Sequence, residues 1–470
     1  MAEPDVNTPV AAYHEMATRW ALPKTLLGGT LAMQAAGETY LPKMPKETQP
    51  SYNVRLKGSV LFNGYGRTVR VLSGKPFVKP VVLEQGSDSV FEEMAADVDL
   101  AGTDLTGFSR DCLKDLLNYG KTHILVDYPA TGGTLNLGEE RTQGIRPYFV
   151  RICPDDLIGW RGMRVGGREV LAQVRIRETA TEGAGDFGSQ QVKRVRVIYP
   201  DRFEIYRERD AGHPSGPGYY LEGTLPNTLG KVALVTVYAI RTGFLISAPP
   251  LEDLAFLNLR HWQSDSDQTN ILHVARVPLL AFLGFSEEDF AAVEIGPSRA
   301  IRTSNADADV KFVEHTGAAI NAGKESLAGL EEKMASMGAD LLVRRQGNET
   351  ATGRGIDARE NESDLQAMVR NLEAGLQQAF GYAGEWLKKP NAKAEVKIYQ
   401  EFGLSLADAT ELQSLQAARQ NRDISQRVYL EELRRRGVLG DQIDIDEIIA
   451  ETQTDDPFAA DPALSGGTDG

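Results

Sequence analysis

LEDLAFLNLRHWQSDSDQTNILHVARV, from Leu251 to Val277 and directly after Pro249-Pro250, decides how the rest of the chain is read. Its 27 residues predict one helix, roughly 40 Å long at about 1.5 Å per residue. The centre, QSDSDQTN from Gln263 to Asn270, is polar all round, which is odd for a core helix. Such a helix either bridges solvent or packs against copies of itself through polar contacts.

A compact mixed region follows, Pro278 to Thr316, with strand-like segments AIRT (Ala300 to Thr303) and VKFVEH. The next stretch, GAAINAGKES from Gly317 to Ser326, comes close to the phosphate-loop pattern G-x-x-x-x-G-K-[ST]. It misses on two counts. Five residues separate Gly317 from Gly323, and Glu325 stands between Lys324 and Ser326. In a phosphate loop the hydroxyl follows lysine directly so that it reaches magnesium. The stretch reads instead as a turn opening a helix. Leu327, Leu330, Met334, Met337 and Leu341 then recur at spacings of 3, 4, 3 and 4, an apolar stripe on one helix face. Glu331, Glu332, Lys333 and Asp340 take the other faces, and the helix is expected to end near Val343.

The loop RRQGNETATG (Arg344 to Gly353) leads to a third helix carrying Leu365, Met368, Leu372, Leu376, Phe380, Ala383 and Leu387 on one face. Two starts fit it: Thr350 as a cap, or Ser363 with Gln366 as a capping box. A strand (AEVKIYQEF) and helices ending in DISQRVYLEELRRRGVLGD follow. The acidic tail TDDPFAADPALSGGTDG has a composition that cannot bury a core, so disorder is expected there.

Toward the N-terminus, the first 145 residues read as mostly helical. Tyr13, Met16, Ala17 and Trp20 form an i, i+3, i+4, i+7 stripe before Pro23. YNVRLKGSVLFNGYGRTVRVLSGKPF suggests helix through Val54, Leu61, Val69 and Leu72, interrupted around Gly64-Tyr65-Gly66. FSRDCLKDLLNYG is a helix with Gly120 as its stop, and KTHILVDYP a short buried strand. From Arg146 to about Arg241 the period becomes two. PYFVRICPDDLIGW, VLAQVRIRE, VKRVRVIYP, DRFEIYRER and VALVTVYAI read as strands separated by turn-rich EGAGDFGSQ and DAGHPSGPG. Val195 and Val197 point opposite to Arg194 and Arg196, which predicts a sheet with one solvated face.

Composition narrows the function classes. The 470 residues contain 41% hydrophobic and 25% charged residues, ordinary for a globular chain. No apolar run reaches a membrane-spanning length, and the longest compact one is VPLLAFLGF, Val277 to Phe285. The first residues, MAEPDVNTP, lack the basic and apolar regions of a secretory signal. Two cysteines, Cys112 and Cys153, are too few for a disulfide scaffold, so a reducing, cytoplasmic site of folding is expected. A net charge of −15 argues against tight wrapping of nucleic acid, but not against a protein that lets DNA pass.

Catalytic patterns are scarce. His14-Glu15 starts like H-E-x-x-H, but Thr18 stands where the second histidine belongs. The six histidines are scattered, and GFSRD at Gly107 to Asp111 is not a nucleophile elbow. Neither a cofactor, a metal site nor a catalytic residue is expected.

In its order of segments the chain resembles the tailed-bacteriophage portal proteins. The matching features are the YHEMATRW helix, the YNVRLKGSVLFNGYGRTVRVLSGKPF segment and the PYFVRICPDDLIGWR entry to a β-rich region. Two long helices then flank a small mixed domain, and ISQRVYLEELRRRGVL comes late. The likeness covers roughly residues 10 to 450. It implies an α+β, mostly helical fold: a wing made of a helical part (1–145) and a β-rich part (146–247), a first stem helix (248–277) and a clip (278–318). A second stem helix (319–343), a tunnel loop (344–352), a long helix back through the wing (353–389), a strand with a helical crown (390–452) and the tail (453–470) complete it. Leu327, Leu330, Met334, Met337 and Leu341 become stem-packing residues. Arg344, Arg345, Gln346, Gly347, Asn348, Glu349 and Thr350, with Arg354 and Arg359, become the candidates to face DNA. For those arginines the alternative is ion pairing between subunits.

Portal proteins form rings, usually of twelve, at one capsid vertex, and double-stranded DNA passes through them during packaging and ejection. The implied partners are further copies of the chain, DNA without sequence preference, terminase, a head-tail adaptor, and the major capsid and scaffolding proteins. Assembly would take place in the host cytoplasm and the end point is the virion. The competing classes are an NTPase using Lys324, a hydrolase, or another virion component such as a minor capsid protein.

Overall fold

In the computed structural model of this chain the described residues run from 5 to 454, except 85, 130–144, 210–215, 276–278, 286, 288–304, 306, 314–317, 343–362, 401–408, 436–437 and 440–443. The fold is mixed α+β.

Helix α1 (Ala11–Leu27) buries Tyr13, Met16 and Trp20 on one face. The stripe does not stop at Pro23. The helix runs through it to Gly28, because proline removes only the bond back to Arg19 and Pro23 is itself buried. After α2 (Gly29–Ala36) comes α3 (Gln49–Gly58), where the Thr48 hydroxyl accepts from the Ser51 N–H at 3.3 Å. Helix α4 (Gly64–Gly74) corrects the expected interruption. The chain leaves helix at 59–63, and the glycines at 64 and 66 are helical, because the Asn63 side chain accepts from the Gly66 N–H at 2.7 Å and starts the helix. Val54 is exposed, not a core position, whereas Leu61, Val69 and Leu72 are buried.

After β1 (Val82–Leu83) and α5 (Val90–Ala96), helix α6 (Leu105–Tyr119) starts at Asp104, which accepts from the Gly107 N–H at 2.8 Å. It stops at Gly120, left-handed with φ of 76°, whose N–H returns to Leu116 O at 3.0 Å. Strand β2 (Lys121–Asp127) follows at once and is buried throughout. It is the middle of an antiparallel three-stranded sheet between β3 (Tyr148–Ile152) and β9 (Leu234–Tyr238).

A second, five-stranded antiparallel sheet takes the strands in chain order: β4 (Leu157–Val165), β5 (Arg168–Ala184), β6 (Gly188–Ile198), β7 (Arg202–Glu208) and β8 (Tyr219–Pro226). Tyr13, Met16 and Trp20 pack on one face, against Ile158, Val195 and Val197. The sequence pattern did not foresee β8, whose Gly223 and Pro226 are poor strand formers, nor that EGAGDFGSQ continues the β5–β6 pairing nearly to its tip.

The arginine face is also corrected: it is not solvated. Arg196 reaches across to Asp127 of β2 at 2.6 Å and pairs with Glu178 at 2.9 Å. Arg194 and Arg207 each pair with both Glu182 and Glu222, at 2.7 to 3.2 Å, closing a four-membered ion-pair ring. The three-stranded sheet covers part of this face, so the guanidinium groups are only about a quarter exposed and need carboxylate partners.

At the start of β2, the Lys121 ammonium is fully buried. It donates to Leu245 O at 2.6 Å and lies 5.5 and 5.1 Å from the ring centres of Trp20 and Trp160. Burial pushes its pKa down to about 7. Nearby, burial pushes the Asp115 carboxyl up to about 6, even though Arg151 lies 2.7 Å away.

After a short hairpin of β10 (Arg241–Gly243) and β11 (Ile246–Ser247), helix α7 (Glu252–Ala275) and helix α8 (Ala318–Asp340) are joined through an antiparallel pair, β12 (Leu279–Leu283) and β13 (Asp309–Val313). Helix α9 (Asp364–Trp386) settles the choice of cap. Ser363 Oγ accepts from the Gln366 N–H at 3.3 Å, and Gln366 Oε1 accepts from the Ser363 N–H at 3.0 Å. Its face of Leu365, Met368, Leu372, Leu376, Phe380 and Ala383 is buried in the main core with α4, α6 and the three-stranded sheet. Among the described residues of AEVKIYQEF, β14 (Val396–Lys397) is the strand, paired with β1. Helices α10 (Ala409–Gln420), α11 (Gln426–Arg435) and α12 (Ile445–Thr454) end the described chain.

Candidate functional site

The candidate site is the α7–α8 pair and the junction at its root. The helices run antiparallel: His261 faces Glu331 at 3.3 Å, and nearer the β12–β13 pair Gln268 donates to Ile320 O at 2.9 Å. Leu254, Ala255 and Trp262 of α7 and Met334 of α8 join the main core. That roots the pair at one end, and the β12–β13 sheet caps the other.

The polar centre of α7 is partly corrected. It is not left wholly to solvent or to other copies, because its own chain covers one side. Ser266 accepts from Arg55 at 3.3 Å and from Ser59 at 2.9 Å, while Gln263 donates to Tyr40 O at 3.0 Å. Arg55 is itself a buried hub. It pairs with Glu47 at 2.8 Å and donates to Pro42 O, and its hydrogen bond holds the Glu47 carboxyl below the usual range. Asp267, Thr269 and Asn270 remain exposed, the last two along a groove against α3. An arginine five residues after Pro50 carries no sequence signal of this role.

GAAINAGKES becomes helix from Ala318 onward. The N–H groups from Ala322 on are committed to the helix and form no phosphate cradle. Lys324 and Ser326 are exposed. Gly323 has a packing reason: a Cβ there would stand 2.9 Å from Gln268 Cδ, so α8 crosses α7 closely at this point. Along the stripe Leu330, Met334 and Leu341 are buried, with Leu327 and Met337 half-buried.

Arg344, Arg345, Gln346, Gly347, Asn348, Glu349, Thr350, Arg354 and Arg359 lie outside the described residues. The points where the chain leaves and re-enters the described fold adjoin each other, since the Leu365 N–H donates to Leu341 O at 3.2 Å. The segment 343–362 therefore begins and ends at the root of the helix pair. Among the described residues no group of three His, Cys, Asp or Glu side chains could hold a metal, and no helix is long and apolar enough to cross a membrane.

A family profile described as "Domain of unknown function (DUF4055)" matches residues 250–387, the span from α7 through α9. No curated protein matches the chain. Among solved structures, a chain of the virion of a native gene transfer agent particle is 12% identical, with TM-score 0.37, covering 90% of this chain and 98% of its own. A chain from the neck of the empty particle, computed with C6 symmetry, is 11% identical, with TM-score 0.39 and coverages of 82% and 93%. A chain from the neck of the native particle, computed with C12 symmetry, is 12% identical, with TM-score 0.39 and coverages of 83% and 93%. All three TM-scores lie below 0.5.

Proposed function

We propose that this chain is the subunit of a portal ring at one capsid vertex, the passage for double-stranded DNA during packaging and ejection. The observation that carries the reading is the antiparallel α7–α8 pair. It is rooted in a mixed core, carries a separate two-stranded sheet at its far end, and has the α8–α9 junction at its root. This is the stem, clip and tunnel-loop order that the sequence resemblance implies. The exposed polar residues Asp267, Thr269 and Asn270 of α7 suit burial by neighbouring subunits.

The charge fits passage rather than grip. Twelve copies at −15 each would carry −180, a field that repels a duplex bearing one charge per about 1.7 Å of axis and keeps friction low. Arg344, Arg345, Arg354 and Arg359 would supply local phosphate contact, tempered by Glu349, Asp357 and Glu360. The role needs no catalysis from this chain; ATP hydrolysis belongs to a separate terminase docking on the clip, and a head-tail adaptor and the capsid and scaffolding proteins complete the vertex.

Purified protein is expected to form rings of about 600 kDa, twelve copies of 51.4 kDa, with a central channel in negative-stain micrographs. A chain that stays monomeric under every assembly condition overturns the reading. Replacing residues 344–352 with a Gly/Ser linker of equal length is expected to leave rings intact and to cut packaged or retained DNA by about tenfold or more. Undiminished packaging would remove that segment from any role in the channel.

A further inference from the structure

The β5–β6 hairpin outruns its own sheet. Pairing with β7 ends at Arg194–Arg207, yet β5 and β6 stay paired for six more positions, from Thr179–Lys193 to Ala184–Gly188. At about 3.3 Å per residue this is a finger roughly 20 Å long. At its tip Phe187 is completely exposed and Asp186 stands beside it. A phenylalanine held in water on a short turn contributes nothing to this chain's core, and an exposed large apolar group on a projecting element marks a contact surface.

The same chain has a groove of about 370 Å³ between α4 and α8. Phe62, Val71, Met334 and Leu342 line it, and Arg67 stands among them. The side chains of Arg67 and Asp186 form no ion pair or hydrogen bond with the described residues.

We propose that the Asp186–Phe187 tip of one copy docks into the α4–α8 groove of a second copy of this chain, with Phe187 in the apolar floor and Asp186 on Arg67. Asp186 complements Arg67; the one carboxylate of the groove, Glu331, lies 3.3 Å from the His261 ring, and the apolar groups match. Knob and groove lie on different elements, so each copy offers one of each. Used once per pair of copies, the contact is heterologous: it repeats from copy to copy instead of closing as a two-fold dimer. Closure into a ring rests on the proposed function, but the contact itself does not.

The test uses the full-length chain with Cys153→Ser, Cys112 being buried. Phe187→Cys and Ala335→Cys, the latter an exposed groove position, are combined in one chain and mildly oxidised. A ladder of covalent multimers is expected for the double variant, whereas Phe187→Cys alone stops at dimers. In parallel, Asp186→Arg is expected to weaken self-association about tenfold, with Arg67→Asp in the same chain restoring it. Rings without a ladder overturn the contact and leave the ring reading standing. A ladder of open chains that never close upholds the contact and overturns the ring. No ladder and no charge-swap rescue overturn the contact outright.

Discussion

Gly120→Ala is expected to destabilise the fold by about 3–5 kcal/mol, combining the strain of a left-handed alanine with a backbone overlap. Gly120 ends α6 with φ of 76°, and a Cβ built there would stand 2.5 Å from the carbonyl carbon of Ala248 and 3.1 Å from Pro249 N. Those atoms belong to the segment that launches α7. Relief of the overlap must move either β2, which starts at the next residue, or the root of the α7–α8 pair. Gly230→Ala is the matched control, because Gly230 also has positive φ, 72°, but nothing lies near its Cβ direction. It should cost only about 1 kcal/mol. Urea unfolding of both variants separates strain from overlap; equal losses would show that the close approach to Ala248 has no energetic weight.

The second large effect concerns Lys121. A fall from 10.5 to about 7 makes the buried ammonium worse off than in the unfolded chain by roughly 5 kcal/mol at about 1.4 kcal/mol per pKa unit. The Leu245 carbonyl and the two indole faces favour the charged form, and desolvation outweighs them. The sign follows from proton counting. Between pH 7 and 10.5 the unfolded chain holds a proton that the folded chain has released, so stability rises with pH in that window. Below pH 7 both states are protonated and the penalty is complete. Lys121→Met should therefore be relatively most stable near pH 6 and lose roughly 2–3 kcal/mol relative to wild type between pH 7 and 9. Its intercept is also set by the carbonyl left without a donor, so the change with pH is the readout. Parallel curves for the two proteins would mean that Lys121 does not titrate in this range.

Much of the fold is legible where local chemistry and tertiary packing agree. Gly120 as a stop, the Ser363–Gln366 box, the buried run of β2 and the stripe from Leu327 to Leu341 each carry their own signal. The misreadings share a cause, namely side-chain partners that the local period does not encode. The glycines at 64 and 66 look like a break until Asn63 caps them, and Arg194 and Arg196 look solvated until Asp127, Glu178, Glu182 and Glu222 reach them. A faint signal for that network exists in the spacing of Glu178 and Glu182 along β5, opposite β6. The half-polar face of α7 could be read as unusual, but its partner Arg55 lies 211 positions from Ser266, and no periodicity spans that distance.

The ion-pair ring of the β-rich region also shapes the molecule's electrical profile. Residues 146–247 hold 15 Lys and Arg against 11 Asp and Glu, a surplus of four positive charges, whereas the rest of the chain, with 36 basic and 55 acidic residues, carries −19. Basic side chains in such surplus would ordinarily make an adhesive surface for polyanions. Here the Arg194, Arg196 and Arg207 guanidinium groups are already matched to carboxylates. A passing phosphate would have to displace a partner held at contact distance and only partly hydrated. The chain is thus polarised, with an acidic helical portion and a cationic but self-neutralised sheet, and the sheet can be rich in arginine without offering polyanions an adhesive surface.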